Sequence, residues 1–228
     1  MDVLDNPIWH SLNTHHANLA LGDNFSRQYP ESVTNLGGMP EFSPVAQASL
    51  LQHFADRKGL GLFLQKIPEL SQGMAFVYQL KLNQMICEDL KSVNGQPFLE
   101  LSLGDVDEMV ALAKATAPGP FGPRTIELGN YIGIRNESGK LIAMAGERLQ
   151  LDKFAEISAV CTDPAYRGKG LAKALVSEVA ARIMRRGKTP FLHVLPTNES
   201  AIKSYLALGF KKRRDFDLCV VERSKESP

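Results

Sequence analysis

The chain has 228 residues and sets 26 Lys and Arg against 25 Asp and Glu, a formal net charge of +1. That balance creates no whole-protein field to draw in nucleic acid or an anionic membrane, and the length suits one large domain or two modest ones. The three cysteines, Cys87, Cys161 and Cys219, form neither a disulfide framework nor a metal-ligand set, which fits a reducing compartment. Residues 1–7 lack the basic-then-apolar pattern of a secretory signal, and no window has the apolar length of a membrane span. A cytoplasmic protein with neither nucleic acid nor membrane as partner is expected.

Asn6-Pro7 predicts a helix start, with Trp9, Leu12, His16 and Leu19 following at helical spacing. His10, His15 and His16 have no matching carboxylate or cysteine, so a helix face is expected there instead of a metal site. Residues 22–41 read as turns, and Ser43-Pro44 opens a second helix through Leu50 and Phe54. Residues 60–64 and 74–86 read as strands. The polar run 92–97 is the predicted boundary, which makes 1–95 an N-terminal subdomain without visible chemistry and 96–228 a second domain.

The pattern then sharpens. Residues 98–103 predict a strand, and Asp105 with Glu108 a capping box for the helix carrying Val106, Met109, Val110 and Ala113. The Pro- and Gly-rich run 117–123 must be a loop. Residues 131–135 and 141–150 form a hairpin about Ser138-Gly139, and 154–162 the next strand. A helix from Gly168 to a stop at Gly187, a strand over 191–195, a helix over 198–208 capped by Gly209 and a terminal strand region over 210–221 complete the chain.

Between strand 154–162 and its following helix, Asp163-Pro164 halts the strand and Arg167-Gly168-Lys169-Gly170 makes a basic turn. The first N–H groups of a helix lack intrahelical partners, and the dipole favours negative charge there. Taken alone, the turn is either an anion cradle or an ordinary strand–turn–helix whose glycines only close the bend.

Two stretches resemble the GNAT superfamily of N-acetyltransferases. The first is Arg167-x-x-Gly170-x-Ala172, preceded by Val160-x-Thr162-x-Pro164; the second runs from Asn198 through Ala201, Ser204 and Tyr205 to Gly209-Phe210. The resemblance covers about residues 97–228 and implies an α/β (α+β) GNAT fold. Its central mixed, mostly antiparallel sheet holds a splayed parallel strand pair and is flanked by helices; the N-terminal α/β subdomain is an addition. It implies acetyl-CoA as cofactor, with backbone contacts around Val160, Cys161 and Thr162. The diphosphate would lie over Arg167, Gly168, Lys169, Gly170, Leu171 and Ala172, with Asn198, Ser204 and Tyr205 across the gap.

Acyl transfer to an amine needs a neutral nucleophile, although an alkyl ammonium has a pKa of about 10, and it needs help for a leaving thiolate. Tyr205 matches the family's position for the donor to that thiolate. For the base, strict alternation puts Glu156, Ser158 and Val160 on one side of their strand and Ala155, Ile157, Ala159 and Cys161 on the other. The resemblance implies a base of one of two kinds, a glutamate on this strand, which would be Glu156, or water alone, and both stay open; Glu147 and Asp152 are weaker candidates. His193 reads as a satisfied sheet histidine and Cys161 as inert packing. The basic run 211–214 reads as a solvated edge.

The expected function is acetyl-CoA-dependent transfer to a primary amine of a small molecule or peptide, by direct attack in a ternary complex. The alternative is a non-catalytic acyl-CoA-binding module whose N-terminal subdomain engages a partner. The acceptor is expected over the 117–124 loop and the 131–150 hairpin. A homodimer is left open.

Overall fold

The computed structural model describes residues 2–54, 57–91, 93, 97–116 and 119–224. The predicted boundary around residue 95 and the first two residues of the 117–124 loop lie outside them.

Helix α1 (Pro7–Asn13) is shorter than the apolar spacing suggested. Asn13 and Thr14 turn their side chains back onto the carbonyls of Trp9 and His10, taking the acceptors that a further turn would use. His16 leaves the predicted helix face and is buried, hydrogen-bonded to Ser11, Tyr29 and the Leu128 carbonyl. Asn6 does not cap α1 with its side chain but donates to the Met39 carbonyl at 2.6 Å. The turn-rich 22–41 region contains three two-residue strands, β1 (Leu21–Gly22), β2 (Arg27–Gln28) and β3 (Gly37–Gly38), in a small sheet of their own. Helix α2 (Pro44–Gln52) starts as expected, with the Ser43 hydroxyl accepting from the Ala46 N–H.

Strands β4 (Leu60–Leu64) and β5 (Met74–Ile86) come next, then β6 (Leu99–Leu101) and α3 (Val106–Thr116). The predicted capping box lies one turn earlier than expected. Asp105 accepts from the Ser102 N–H at 2.8 Å, whereas Glu108 binds Arg135 and the Leu141 N–H. The remaining elements are β7 (Tyr131–Arg135), β8 (Leu141–Gln150), β9 (Phe154–Thr162), α4 (Leu171–Arg185), β10 (Thr189–Val194), α5 (Glu199–Ala207) and β11 (Lys211–Arg223).

Eight strands form one sheet in the order β4-β11-β5-β10-β9-β8-β7-β6. Every neighbouring pair is antiparallel except β9 and β10. Strand β5 enters between β10 and β11, so strands from both sides of the predicted boundary alternate within a single sheet. The two faces are covered differently. On β7, Ile132 and Ile134 pack with Leu175, Val176, Val179 and Ile183 of α4, while Tyr131 packs with Met109 and Leu112 of α3. Because side chains alternate along a strand, α3 and α4 lie on opposite faces. The face opposite α4 continues under the N-terminal segment, where Ile8, Leu12 and Tyr29 meet Leu149, Phe191 and Phe216. Each such buried aliphatic side chain contributes about 1.5–3 kcal/mol.

Candidate active site

The parallel pair is joined only at its start. β9 and β10 pair at Phe154↔Thr189, Ala155↔Pro190 and Glu156↔Phe191, yet β9 runs on to Thr162 and β10 to Val194. Each keeps its other neighbour, β8 and β5 respectively, so the two strands part like an opened zip. Facing strand edges need hydrogen-bond partners from outside the sheet. A cavity of about 940 Å³ occupies the gap, with residues 158–162 on one wall and Leu192 to Leu195 on the other. The Thr162 hydroxyl is buried there with no hydrogen-bond partner among the described residues.

The turn beyond Thr162 closes one end of the cavity. Gly168 and Gly170 have φ of +77° and +75°, and a side chain built on either would meet nothing within 4 Å. Gly170 is the N-cap of α4, so the first amides of that helix open onto unfilled space. Arg167, Gly168, Gly170, Leu171 and Ala172 line the cavity together with Lys173. Lys169 is not among the lining residues; its ammonium lies 5.0 Å from the centre of the Tyr166 ring. An open left-handed cradle at a helix N-terminus, an unpaired strand edge and an orphaned hydroxyl fit the diphosphate and amide-bearing arm of coenzyme A. Gly170→Ala forces an L side chain into the left-handed region, which costs about 1–2 kcal/mol. A lower melting temperature together with weaker CoA binding is the expected result, read by thermal denaturation and titration.

Strand β9 is not regular. Gly146 pairs with Ser158 and Met144 with Cys161, so β9 carries one extra residue at this point, and Ala159 has φ +52°. Such a bulge is strained for a residue with a Cβ and re-aims the side chains beyond it. The strict alternation expected from the sequence therefore fails. Val160 packs with the cluster of Ala155 and Ile157 on the α4 side, whereas Ala159 and Cys161 join the α3 side. Glu156 and Val160 do not share a face.

Glu156 itself is fully buried in an ion pair. Arg148 donates to both its oxygens, Nε at 2.8 Å and Nη2 at 2.6 Å, and His193 Nδ1 lies 2.7 Å from Oε1. Burial alone would raise the carboxyl pKa, but the Arg148 charge, its paired hydrogen bonds and His193 outweigh that and bring it down to about 2. A carboxylate held so low is a poor acceptor for the proton of an ammonium with a pKa of about 10. Glu156 thus has the surroundings of a fixed charge and not those expected of a base.

His193 forms a chain with Gln84. Arg213 donates to the Gln84 Oε1 at 2.8 Å, which leaves the Gln84 amide nitrogen to donate to the Leu4 carbonyl and to His193 Nε2. Nε2 is then the acceptor, and the proton sits on Nδ1 facing Glu156. Burial lowers the histidine pKa and keeps the ring neutral despite the opposing pull of Glu156. The other base candidates lie outside the cavity lining: Glu147 is buried against Arg186, and exposed Asp152 meets His15. The basic run at 211–214 is partly spent on the N-terminus, with Arg213 bonded to Asp2 and Asp5.

Across the gap, Asn198 caps α5 by accepting from the Ala201 N–H at 3.2 Å, and Ser204 donates to the Ser200 carbonyl. Asn198, Ser200, Ala201, Ser204 and Tyr205 all line the cavity. Tyr205 is 9% exposed, its ring packs on Phe210, and its hydroxyl has no hydrogen-bond partner among the described residues. Burial pushes its pKa up to about 12. Cys161 is likewise pushed up, to about 11, and is a thiol and no nucleophile at neutral pH.

A family model described as FR47-like protein matches residues 131–219, a span that holds the opened strand pair, the glycine turn and α5. A solved protein assigned to the GNAT acetyltransferase family, from Novosphingobium aromaticivorans, is 33% identical and superposes with a TM-score of 0.91 over 99% of this chain and 100% of its own. The chain belongs to the GNAT family of acetyltransferases.

Two curated relatives of this GNAT chain match over shorter stretches. The [ribosomal protein bS18]-alanine N-acetyltransferase of Escherichia coli is 34% identical over 77 residues, 33% of this chain and 51% of that protein. The N-alpha-acetyltransferase RimI of Mycobacterium tuberculosis is 33% identical over 86 residues, 36% and 52% respectively. The chain therefore spans about half the length of these curated relatives. Strands β4 and β5 fall outside the FR47-like match, yet Gly61, Phe63, Tyr78, Leu80 and Leu82 on them line the same cavity as the GNAT turn. Sequence reasoning found no chemistry in that segment and also passed over Arg148 and Lys173. No helix among the described residues is long and apolar enough to cross a membrane.

Proposed function

We propose that this GNAT enzyme transfers an acetyl group from acetyl-CoA to a primary amine by direct attack, with no acyl-enzyme. The observation that carries this reading is Tyr205, 9% exposed and lining the gap between β9 and β10, whose hydroxyl has no hydrogen-bond partner among the described residues. Bound acetyl-CoA supplies an activated thioester, whose carbon–sulfur bond gives way to the new carbon–nitrogen bond. The amides of residues 170–172, Arg167 and Lys173 hold the anionic end, and the free edge of β9 aligns the arm.

Tyr205 stays protonated at working pH because its pKa is about 12. A thiol resembling cysteine has a pKa of about 8.5, so Tyr205 stabilises the departing sulfur by donating a hydrogen bond and need not surrender its proton. The ammonium proton of the acceptor leaves to solvent before attack. The proton the nitrogen sheds as the amide forms passes through solvent to the departing sulfur, giving amide and thiol. The Arg148–Glu156–His193 group holds the floor of the cavity with its charges internally matched. Without a free carboxylate, an amine reaching this floor is favoured in its neutral, nucleophilic form. The names of the relatives, which acetylate an alanine of a ribosomal protein or an alpha amine, support an amine acceptor in general terms.

Thiol release from acetyl-CoA in the presence of a panel of amines tests the reading. Turnover with at least one amine class is expected, and CoA alone is expected to raise the melting temperature. At a concentration about 100 times its Kd, a ligand that binds only the folded state adds about 2.7 kcal/mol. A CoA-dependent shift with no turnover for any amine would favour the non-catalytic module instead.

A further inference from the structure

One end of the cavity is built on β4, β5 and β11, the first two outside the FR47-like match, and its lining there is apolar. On β5, Tyr78, Leu80 and Leu82 alternate onto the face that also carries Gln84 and, across the ladder, His193. The registers extend this face across two more strands: Leu80 opposes Leu218, which opposes Phe63, and Tyr78 opposes Val220, which opposes Gly61. The result is a three-strand apolar shelf leading away from the His193 floor. Leu80 and Tyr78 remain 40% and 47% exposed on it, in a stretch of β5 over residues 77–81 that is open on both faces. From Gln84 to Tyr78 the shelf runs roughly 20 Å, at about 3.3 Å per residue.

No Asp or Glu is among the described residues lining the whole cavity, while Arg148, Arg167 and Lys173 are. Glu156, beneath the floor, has its charge taken up by Arg148. A second ammonium on the acceptor would find no carboxylate among the described lining residues to pair with.

From this juxtaposition we infer that the acceptor is a monoamine with an apolar body, of long alkyl or arylalkyl type, whose tail lies along Phe63, Leu80, Leu218 and Tyr78. The inference rests on the acetyl-transfer reading of the same cavity and adds the substrate class. Burying a tail on the shelf is worth about fourfold in affinity per methylene where burial is complete. An n-alkylamine series from butylamine to decylamine should therefore show kcat/KM climbing severalfold with each added pair of methylenes. Octylamine should exceed octamethylenediamine severalfold, since the second ammonium must stay in water and forfeits apolar contact along the shelf.

Leu80→Asp tests the placement, because Leu80 is exposed enough for the fold to tolerate a carboxylate. It should flatten the length dependence and improve the diamine, while the CoA-induced melting shift persists. Octylamine added to the CoA-bound protein should raise the melting temperature of the wild type and not of Leu80→Asp, a readout that needs no turnover. Length-dependent binding without transfer would sink the proposed reaction and leave the shelf assigned. Transfer without length dependence, a diamine or a peptide amine outpacing octylamine, or a dimer that Leu80→Asp dissociates would each overturn the inference.

Discussion

Replacing Tyr205 by phenylalanine is expected to slow acetyl transfer by about 10²–10³-fold, the usual cost of removing one donor aimed at developing charge. The ring would still pack on Phe210, whose centroid lies 5.9 Å away, so the fold and the CoA-induced melting shift should persist. The loss should fall on kcat, because the hydroxyl meets charge only as the carbon–sulfur bond breaks. Steady-state kinetics with one reactive amine, beside a CoA titration, makes the distinction. Equal rates for the two proteins would remove Tyr205 from the chemistry.

Replacing Glu156 by glutamine is expected to act mainly on stability. Removing one member of a buried ion pair leaves the other uncompensated, at about 3–5 kcal/mol. The lower end applies here because the Arg148 side chain is 15% exposed to the cavity. Against a typical total of about 5–15 kcal/mol, such a loss is large. The pH dependence is set by the pKa of about 2 in the folded protein against an ordinary 4.5. The contribution is fully present above pH 4.5 and is lost as pH falls toward 2. Glu156→Gln should therefore be destabilised at neutral pH and show a flatter decline across that acid window. Turnover of the folded variant should fall by less than the 10²–10⁴-fold that loss of a general base brings. A loss of that full size with stability unchanged would restore Glu156 as the base. Replacing both partners, Arg148→Met with Glu156→Leu, should recover much of the lost stability.

Much of the fold was legible because its signals are local. The Ser43-Pro44 start, the 131–150 hairpin, the apolar stripe of α4 and the Asn198 cap each depend on neighbours in sequence, and each stands where the spacing put it. The glycine turn was legible for the same reason, since left-handed positions at Gly168 and Gly170 are written in the residue type. The features that escaped are non-local. The bulge at Ala159 exists only against the register of β8, and it reverses the faces that alternation assigns beyond it. The Arg148–Glu156 pair depends on a second irregularity of the same ladder, between Glu147↔Ile157 and Gln150↔Ala155. The insertion of β5 between β10 and β11 brings together residues more than a hundred positions apart, and nothing in residues 74–86 announces it. The part of the cavity lining that comes from β4 and β5 was missed with it.

The central claim is that the opening between β9 and β10 seats the thioester arm with its sulfur at Tyr205. A crystal structure of the chain bound to coenzyme A tests it most directly. The account predicts the diphosphate on the amides of residues 170–172, the arm along 158–162 and the sulfur within hydrogen-bonding reach of the Tyr205 hydroxyl. Coenzyme A bound outside the gap, or seated in it with Tyr205 turned away from the sulfur, would contradict it.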